Sequence, residues 1–416
     1  MSFSFAFDID AAELDDELDL PTTLDQLTLR DDAGPPTAST SAVPHREVLL
    51  EELVCSNPSS LDEARRLTRI LLFGDQVSTL PPLLSYTPVT IPLSANGSQT
   101  ARHTTLFRRD LFDARFQVLN QDEHDEEDEA PSKGKEREEV FVDESSDLVK
   151  GVYEGGLKTW ECSLDLVDCL DQRGYAIDQD LSTPRLRGKG ILEVGCGTAV
   201  PICALFARLL NEIAKNPTET GSPRPPKTRI HVQDYNKQVL SLITLPNILL
   251  TFAQHLAAPT TAPDADEEPP AEPEAGGLEV TPEFLDSFDA FLEQENIDLR
   301  FFDGDWAGMD DAVKKQEEGG YDLVLTSETV YSLSSLEPLL NLLEAATRRP
   351  ASADTSESLC LVACKRIYFG VGGGELEFRR RVEERGGQVE TVWGEGEGKG
   401  KTSGVGRTVL SVKWRQ

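Results

Sequence analysis

The sequence predicts an α/β protein built on an open, largely parallel sheet, and three observations support this prediction. First, the apolar run at residues 190–194 leads into Gly195 and Gly197 and then into a long apolar segment with helical spacing. Second, three further short apolar runs are predicted strands: residues 229–234, 297–303 and 321–325. Third, each of these runs is followed by acidic or hydroxyl side chains. Ligands bind outside the carboxyl ends of the strands in such sheets, so this edge is the expected site.

The turn after the first of these strands is suited to holding a cofactor. A Gly-x-Gly turn between a buried strand and a helix lets backbone N–H groups approach a ligand, although many such turns need glycine only for φ > 0. Val200 stands where a dinucleotide fingerprint would have its third glycine, which disfavours NAD and FAD. Glu193 precedes the glycines, where a carboxylate would repel a pyrophosphate but attract an ammonium group. The turn therefore favours S-adenosylmethionine, which carries an ammonium and a sulfonium.

Acidic and aromatic residues after the next two strands extend this prediction. Asp234 ends the second strand, where a carboxylate can accept hydrogen bonds from both ribose hydroxyls. Residues 211–227, rich in Pro, Gly, Ser and Thr, are predicted to be an inserted loop that lengthens its spacing from the glycines. After the third strand, Gly304 allows close approach, Asp305 can accept a hydrogen bond from an adenine amino group, and Trp306 can cover the ring. Each residue also has a structural interpretation, as a turn, a helix cap or a cover of the core.

Seven blocks of sequence occur in an order that resembles a known enzyme family. They lie at residues 151–163, 193–197, 233–236, 245–247, 304–306, 326–331 and 368–374. Together they resemble the eukaryotic protein-histidine methyltransferases, which are seven-β-strand, S-adenosylmethionine-dependent enzymes. The described substrate of that family is a histidine of the third protein of the large ribosomal subunit. The resemblance covers about residues 147–390, with two interruptions, and touches residues 2–7.

The resemblance implies a fold, a domain division and a set of cofactor contacts. The fold is a seven-stranded, Rossmann-like methyltransferase sheet of the α/β class that ends in a C-terminal antiparallel hairpin. It occupies residues 147–416, with disordered insertions near residues 211–227 and 257–281, and follows a partly disordered, acidic region at residues 1–145. With Glu193 and Gly197 from the turn itself, the implied cofactor contacts are Lys158, Thr159, Trp160, Glu161, Cys162, Gly195, Gln233, Asp234, Tyr235, Gly304, Asp305, Trp306 and Ser327.

The implied reaction needs orientation more than it needs a base. Methyl transfer from a sulfonium to an imidazole nitrogen is an in-line displacement, and a histidine of pKa ~6.5 is mostly neutral at cellular pH. The site must therefore select the tautomer and the angle, most simply by accepting a hydrogen bond from the other nitrogen. Glu154, Glu328 and Tyr331 are the candidates for this role, although Glu328 could instead cap a helix. The Thr-Ser-Glu sequence there differs from the Asn/Asp-Pro-Pro-Tyr type, which disfavours amide or nucleobase methylation.

The composition is strongly acidic, with 74 acidic residues against 40 Lys and Arg and a formal net charge of −34. Residues 122–147 carry thirteen acids and three bases, residues 257–281 carry seven acids and no base, and residues 31–44 are small and rich in proline. All three stretches are predicted to be disordered, because they lack the apolar surface that would offset the entropy of ordering. The acidic runs serve solubility or attract a basic ribosomal protein, and they disfavour direct binding of nucleic acid.

Other features narrow the cellular setting. The seven cysteines form no Cys-x-x-Cys pair and are predicted to be reduced, buried thiols of a cytosolic or nuclear protein. The five histidines are scattered singly, so no metal site is predicted, and His231 is expected to belong to the core. The sequence shows no leader-like segment, so secretion is not expected. It shows no apolar run that approaches 18 residues, so a membrane span is not expected either. A monomer in the cytoplasm and nucleus, including the nucleolus, is expected.

The N-terminal region carries weaker signals. Phe3, Phe5 and Phe7 alternate with small residues, which suits an added edge strand or a docking peptide. Residues 46–72 have helical apolar spacing, and residues 106–118 fit either a strand or a helix.

Three interpretations of function follow from the sequence. The leading one is a methyltransferase that acts on a histidine of a basic large-subunit ribosomal protein. The second is the same fold acting on lysine, whose ammonium group must first lose a proton. The third is a catalytically silent protein that escorts a ribosomal protein and has kept only the fold.

Overall fold

The computed structural model describes twelve parts of the chain. They are residues 44–50, 53, 80–94, 102–110, 156–177, 185–218, 223–258, 273–316, 319–348, 357–368, 372–394 and 406–414. The alternating phenylalanines near the N-terminus, the acidic run at residues 122–147 and the candidate Glu154 lie outside these residues.

The strands of the described residues form two sheets. In chain order they are β1 (Arg46–Val48), β2 (Leu83–Leu93), β3 (Arg102–Arg109), β4 (Gly190–Val194), β5 (Thr228–Asp234), β6 (Gly276–Glu279), β7 (Ile297–Asp303), β8 (Leu323–Ser327), β9 (Leu359–Lys365), β10 (Gln388–Trp393) and β11 (Arg407–Lys413). The larger sheet has the order β1-β7-β5-β4-β8-β9-β11-β10, and the smaller has the order β3-β2-β6.

The predicted seven-stranded sheet is confirmed. Strands β7, β5, β4, β8 and β9 are parallel neighbours, and the β10–β11 hairpin follows with β11 antiparallel to both β9 and β10. Every residue of β4 and β5 is buried. Continuous burial is expected of central parallel strands, because helices cover both faces of such a sheet.

Helices flank the larger sheet on two sides. They are α1 (Glu161–Leu170), α2 (Val200–Lys215), α3 (Lys237–Ala257), α4 (Pro282–Gln294), α5 (Met309–Lys314), α6 (Leu333–Thr347) and α7 (Glu375–Glu384). Apolar residues of α1 to α4 pack in one core cluster, and those of α5 to α7 pack in another. Six described cysteines are buried free thiols, as predicted.

Helix α3 is long and apolar enough to pass a length-and-composition test for a membrane span. However, 78% of its most apolar 18-residue stretch is buried inside the protein. A core helix has the same composition, so this feature is weak evidence for a membrane. Its residues Leu240–Thr244 form a π-helical turn.

The described residues before residue 145 pack with those after it, because both belong to one compact unit. Strand β1 pairs with β7 in the main sheet, so the helical spacing predicted from residue 46 is wrong at residues 46–48. Strands β2 and β3 form the smaller sheet with β6, which lies within the insertion predicted at residues 257–281. Local patterns could not show these pairings, because the partner strands are far apart in the chain.

Hydrogen bonds join the smaller sheet to the methyltransferase-like core. The Asp168 carboxylate in α1 accepts hydrogen bonds from the N–H and hydroxyl groups of Ser94, each at 2.6 Å. The Arg102 guanidinium donates two hydrogen bonds of 2.9 Å to Asp171. Helix α2 also extends to Lys215, so the insertion predicted to begin at residue 211 begins later. Its Glu212 is buried and accepts a hydrogen bond from the N–H of Leu186 at 2.9 Å.

Candidate active site

The carboxyl ends of β4, β5, β7 and β8 meet at one edge of the sheet, as predicted. Parallel pairing sets Val194 opposite both Gln233 and Thr326, and it sets Asp234 opposite Asp303. The turns that follow these strands therefore lie side by side. This register brings the glycine turn, the end of β5, the Gly304 turn and the segment after β8 to the same edge.

The glycine turn needs both of its predicted glycines. Gly195 and Gly197 have positive φ values of 61° and 50°. A Cβ atom at Gly195 would lie 2.5 Å from Cγ2 of Thr329, and one at Gly197 would lie 3.2 Å from the carbonyl oxygen of Gly156. The close approach of Gly156 places the segment before α1 against the turn. Thr198 joins the same contact, because the hydroxyl of Thr159 donates to its hydroxyl at 3.2 Å.

Asp234 supports the glycine turn from the end of β5. One carboxylate oxygen accepts the N–H of Gly197 at 2.9 Å, and the other accepts the N–H of Asn236 at 3.1 Å. The side chain is almost fully buried. Each carboxylate oxygen can accept more than one hydrogen bond, so this geometry is compatible with the predicted ribose contact.

Gln233 connects the two turns. Its Oε1 atom accepts hydrogen bonds from the N–H of Gly195 at 3.2 Å and from Nε1 of Trp306 at 2.8 Å. Its Nε2 atom donates to the carbonyl oxygen of Gly304 at 2.8 Å. The residue is fully buried. The structure therefore places Gln233 as a brace between the turns, and sequence reasoning missed this role.

The Gly304 turn carries the residues predicted to face adenine. Gly304 has a φ of 97°, and its N–H donates to the carbonyl oxygen of Tyr235 at 3.2 Å. Asp305 and Trp306 are half-buried. The Trp306 ring lies 3.7 Å from the position of a Cβ atom at Gly195. The indole therefore stands beside the glycine turn, where it could cover a bound ring system.

Glu193 does not present its carboxylate at this edge. The residue is fully buried, and its Oε2 atom accepts the N–H of Ile202 in the first turn of α2 at 3.1 Å. Burial raises the pKa of Glu193 to about 8, while the hydrogen bond to Ile202 opposes the increase. The group is therefore mainly protonated at neutral pH, and this placement does not support the predicted attraction of an ammonium group.

The segment at residues 158–162 leads directly into α1. The Nζ atoms of Lys158 and Lys365 lie 4.8 Å and 4.6 Å from the centroid of the Trp160 ring. These distances are typical of cation–π contacts. Cys162 is buried, and burial together with the nearby Glu328 carboxylate raises the pKa of its thiol. The thiol therefore stays protonated and is unsuited to act as a nucleophile.

Glu328 occupies a strained position after β8. Its φ of 58° lies in the left-handed region, which is uncommon for a residue with a side chain and is found at functional sites. Its Oε2 atom accepts a hydrogen bond from the Tyr368 hydroxyl at 2.7 Å, and its Oε1 atom lies 3.4 Å from Nζ of Lys365. The rings of Tyr331 and Tyr368 lie 6.4 Å apart. Tyr368 thus contacts both Glu328 and Tyr331, the two described residues predicted to orient the substrate imidazole.

Lys365 and Tyr368 are functional candidates that sequence reasoning missed. Lys365 is the last residue of β9, and Tyr368 follows that strand. Since β9 is next to β8, both residues lie at the same edge of the sheet. Tyr368 lies in a block that resembles the family, but no role was predicted for it. Its position beyond the fifth parallel strand was the signal that could have found it. His231, in contrast, is buried within β5 and its Nδ1 atom lies 2.7 Å from the Tyr321 hydroxyl, as expected of a core histidine.

The described edge fits S-adenosylmethionine. The turn is a tight cradle in which a side chain at Gly195 or Gly197 would collide with Thr329 or Gly156. A carboxylate stands at the end of β5, and Asp305 and Trp306 stand beside it for the adenosyl group. Ser327 is half-buried at the end of β8, which lies at the same edge of the sheet. The adjacent Glu328, Lys365 and Tyr368 place charged and polar side chains at the same edge.

Comparison with known proteins gives the family. No protein-family model matches the chain. The chain is 34% identical over 313 residues to histidine protein methyltransferase 1 of Schizosaccharomyces pombe, which covers 75% of this chain and 76% of that relative. It is 30% identical over 286 residues to the protein of the same name from Saccharomyces cerevisiae, with coverages of 67% and 69%.

Among solved structures, the CurJ carbon methyltransferase matches with 13% identity and a TM-score of 0.31, over 56% of this chain and 50% of that chain. A likeness of this degree adds nothing on function, so the assignment rests on the sequence relatives. The chain belongs to the histidine protein methyltransferase 1 family and is an S-adenosylmethionine-dependent methyltransferase.

Proposed function

We propose that this protein transfers a methyl group from S-adenosylmethionine to an imidazole nitrogen of a histidine in a basic protein of the large ribosomal subunit. The observation that carries the proposal is the 34% sequence identity to histidine protein methyltransferase 1, which extends over three quarters of the chain. The ribosomal substrate is the one implied by the family resemblance of the sequence blocks. The polar group at Glu328 next to the cofactor turns supports a transfer reaction at this edge.

The residues of three turns would hold the cofactor. The turn at Gly195 and Gly197 would lie against it with no intervening side chain, Asp234 can accept hydrogen bonds from its ribose, and Asp305 and Trp306 would flank its adenine. When bound, S-adenosylmethionine supplies a methyl group on a positively charged sulfur. Since the turns are already fixed by buried hydrogen bonds, little rearrangement is needed to form the site.

The substrate imidazole needs a fixed orientation. A neutral imidazole offers one nitrogen with a free lone pair and one N–H group, and the methylated product is a cation if that proton remains. The Glu328 carboxylate can accept the N–H hydrogen bond and stabilise the developing positive charge. Its contacts with Tyr368 and Lys365 fix its direction. Glu328 is therefore the proposed orienting group, with Tyr331 beside it.

Charge supports a basic protein as the partner. The chain has a formal net charge of −34, and opposite net charges accelerate encounter in a salt-dependent way. The same charge repels phosphates, so we propose that the enzyme makes no direct contact with nucleic acid. We also propose that it works as a monomer in the cytoplasm and nucleus, away from membranes.

The test is methyl transfer to isolated large-subunit ribosomal proteins, with labelled S-adenosylmethionine and detection by mass spectrometry. The expected result is one labelled protein that contains methylhistidine. Methyl-lysine in its place would favour the lysine methyltransferase alternative. Cofactor binding in calorimetry without transfer to any ribosomal protein would contradict the proposed substrate, and the escort alternative predicts no transfer at all.

A further inference from the structure

Strand β1 lies outside residues 147–390, yet it joins the main sheet beside the Gly304 turn. It runs antiparallel to β7, with Arg46 opposite Asp303 and Val48 opposite Phe301. Because the strands are antiparallel, Pro44 and His45 lie past the carboxyl end of β7. These two residues are the described N-terminal chain, and they reach the turn that carries Asp305 and Trp306.

The backbone of the N-terminal chain packs directly against Gly304. A Cβ atom at Gly304 would lie 2.6 Å from the carbonyl oxygen of Pro44, 2.9 Å from its carbonyl carbon and 3.0 Å from Cα of His45. All three atoms belong to the backbone, so the neighbouring chain could not move aside cheaply. The glycine is therefore required by the N-terminal chain as well as by its own φ of 97°.

Side chains of residues 45–48 also contact the end of β7. The His45 ring stacks on Phe302 with centroids 5.6 Å apart and planes at 25°. Burial lowers the pKa of His45, and a hydrogen bond with the backbone of Asp303 opposes this effect. The Arg46 Nε atom lies 3.3 Å from the Asp303 carboxylate, and Val48 is buried in the main core.

The same turn is held from its inner side by β5. Gln233 donates a hydrogen bond to the Gly304 carbonyl oxygen, and the carbonyl oxygen of Tyr235 accepts the Gly304 N–H. Gly304 therefore lies between β5 on one side and the N-terminal chain on the other. Movement of Trp306 away from the glycine turn would require one of these two supports to yield.

We propose that residues 44–48 are part of the cofactor site and position the Gly304–Trp306 turn for the adenosyl group of S-adenosylmethionine. These residues act through the turn and are positioning residues. The inference rests on the S-adenosylmethionine-dependent activity and does not depend on which protein is methylated. It extends the functional unit of the enzyme to a segment in front of the predicted methyltransferase domain.

The test uses the full-length Val48→Asp variant, in which a carboxylate replaces a buried apolar side chain and detaches β1. Binding of S-adenosylhomocysteine is measured by calorimetry, and amide hydrogen exchange is measured at residues 303–306 without ligand. We expect binding to weaken by about tenfold or more and the Gly304 and Trp306 amides to exchange faster. The KM for S-adenosylmethionine should rise, while the KM for the protein substrate stays unchanged.

The matched control is Ile91→Asp, which buries the same charge at an equally inaccessible position in β2 of the smaller sheet. It should lower the melting temperature and leave the affinity for S-adenosylhomocysteine within about twofold of the original value. Equal weakening in both variants would overturn the proposal, because the effect would then be general destabilisation. Unchanged binding and exchange in Val48→Asp would overturn it as well.

If Val48→Asp does not fold, a comparison at His45 decides. His45→Ser removes the ring that stacks on Phe302, whereas His45→Phe keeps an aromatic ring there. We expect weaker S-adenosylhomocysteine binding in His45→Ser and its recovery in His45→Phe, and equal affinities in the two variants would overturn the proposal. Failure of the unmodified protein to bind S-adenosylhomocysteine would count against the cofactor assignment itself.

Discussion

Two groups of strand ends share one edge of the larger sheet, but different interactions hold them. The first group is the ends of β4, β5 and β7, and the second is the ends of β8 and β9. In the first group, backbone N–H groups of the turns are bound by the buried side chains of Gln233 and Asp234. In the second group, Glu328, Lys365 and Tyr368 contact one another through partly exposed side chains. We therefore propose that the first group is a fixed receptor for the cofactor and the second is a charged site for the substrate. Changes in the first should alter cofactor affinity, and changes in the second should alter turnover.

The largest expected effect comes from Gly195→Arg. The φ of 61° disfavours a side chain there, and its first atom would already lie 2.5 Å from Thr329. A larger side chain would fill the cradle, so we expect binding of S-adenosylmethionine to weaken by about a hundredfold or more. Calorimetry measures the affinity, and circular dichroism checks that the protein is folded.

Gly308→Arg is the control for this substitution. Gly308 also has a positive φ, of 92°, but a Cβ atom there would meet nothing within 4 Å. This variant bears similar backbone strain without a clash and should keep its affinity for the cofactor. Similar losses in both variants would show that strain, and not filling of the cradle, explains the effect.

Glu328→Gln tests the substrate half of the edge. The substitution removes the charge that we expect to stabilise the imidazolium product, so kcat should fall by about ten- to a hundredfold. The cofactor affinity should stay within about twofold, because the contacts of the glycine turn are unchanged. Steady-state kinetics and calorimetry separate the two quantities. Glu337→Gln, at an exposed carboxylate of α6, should change neither quantity, and an unchanged kcat in Glu328→Gln would remove Glu328 from the reaction.

Asp234→Ala should have a smaller effect, on the cofactor half. It leaves the N–H groups of Gly197 and Asn236 without their acceptor and removes the proposed ribose contact. We expect cofactor affinity to fall by about tenfold or more, since a hydrogen bond to a charged group contributes roughly 1.5–3 kcal/mol. Asp171→Ala removes a buried carboxylate that binds Arg102 away from the turns. That variant should lose stability without losing affinity, and unchanged affinity in Asp234→Ala would contradict the assignment.

The sequence predicted the position of the site better than the directions of its side chains. In a parallel sheet the ends of successive strands must meet at one edge, so Gly195, Asp234 and Gly304 could be placed together from the chain alone. The face toward which Glu193 points could not be predicted, because β4 is buried on both sides and shows no alternation. Its contact with the N–H of Ile202 became visible only with α2 in place.

Long-range pairing accounts for the other differences. The domain boundary near residue 145 came from the composition of the acidic run, which carries no information on where β1 pairs. The contact of Pro44 with Gly304 joins residues far apart in the chain, and glycine at 304 was explained by ligand approach alone. The brace formed by Gln233 was missed for a similar reason, since its partners lie on two different turns.

Glu193→Gln should have the smallest effect on activity and a distinct effect on stability. The pKa of Glu193 is raised from 4.5 to about 8 by burial, so the folded protein holds a proton that the unfolded chain releases between these values. Stability from this group is therefore present at low pH and is lost as the pH rises toward about 8. Glutamine stays neutral, so the free energy of unfolding of the variant should gain roughly 4 kcal/mol relative to the original protein between pH 5 and pH 8.5. Urea unfolding at several pH values measures it, and parallel pH profiles would contradict the raised pKa.

A crystal structure with bound S-adenosylhomocysteine tests most directly whether a fixed cofactor receptor lies next to a charged substrate site. The account predicts that the ribose contacts Asp234, that the adenine lies beside Asp305 and Trp306, and that the sulfur faces Glu328 and Tyr368. Binding of the ligand at another place, or with its sulfur directed away from Glu328, would contradict the account.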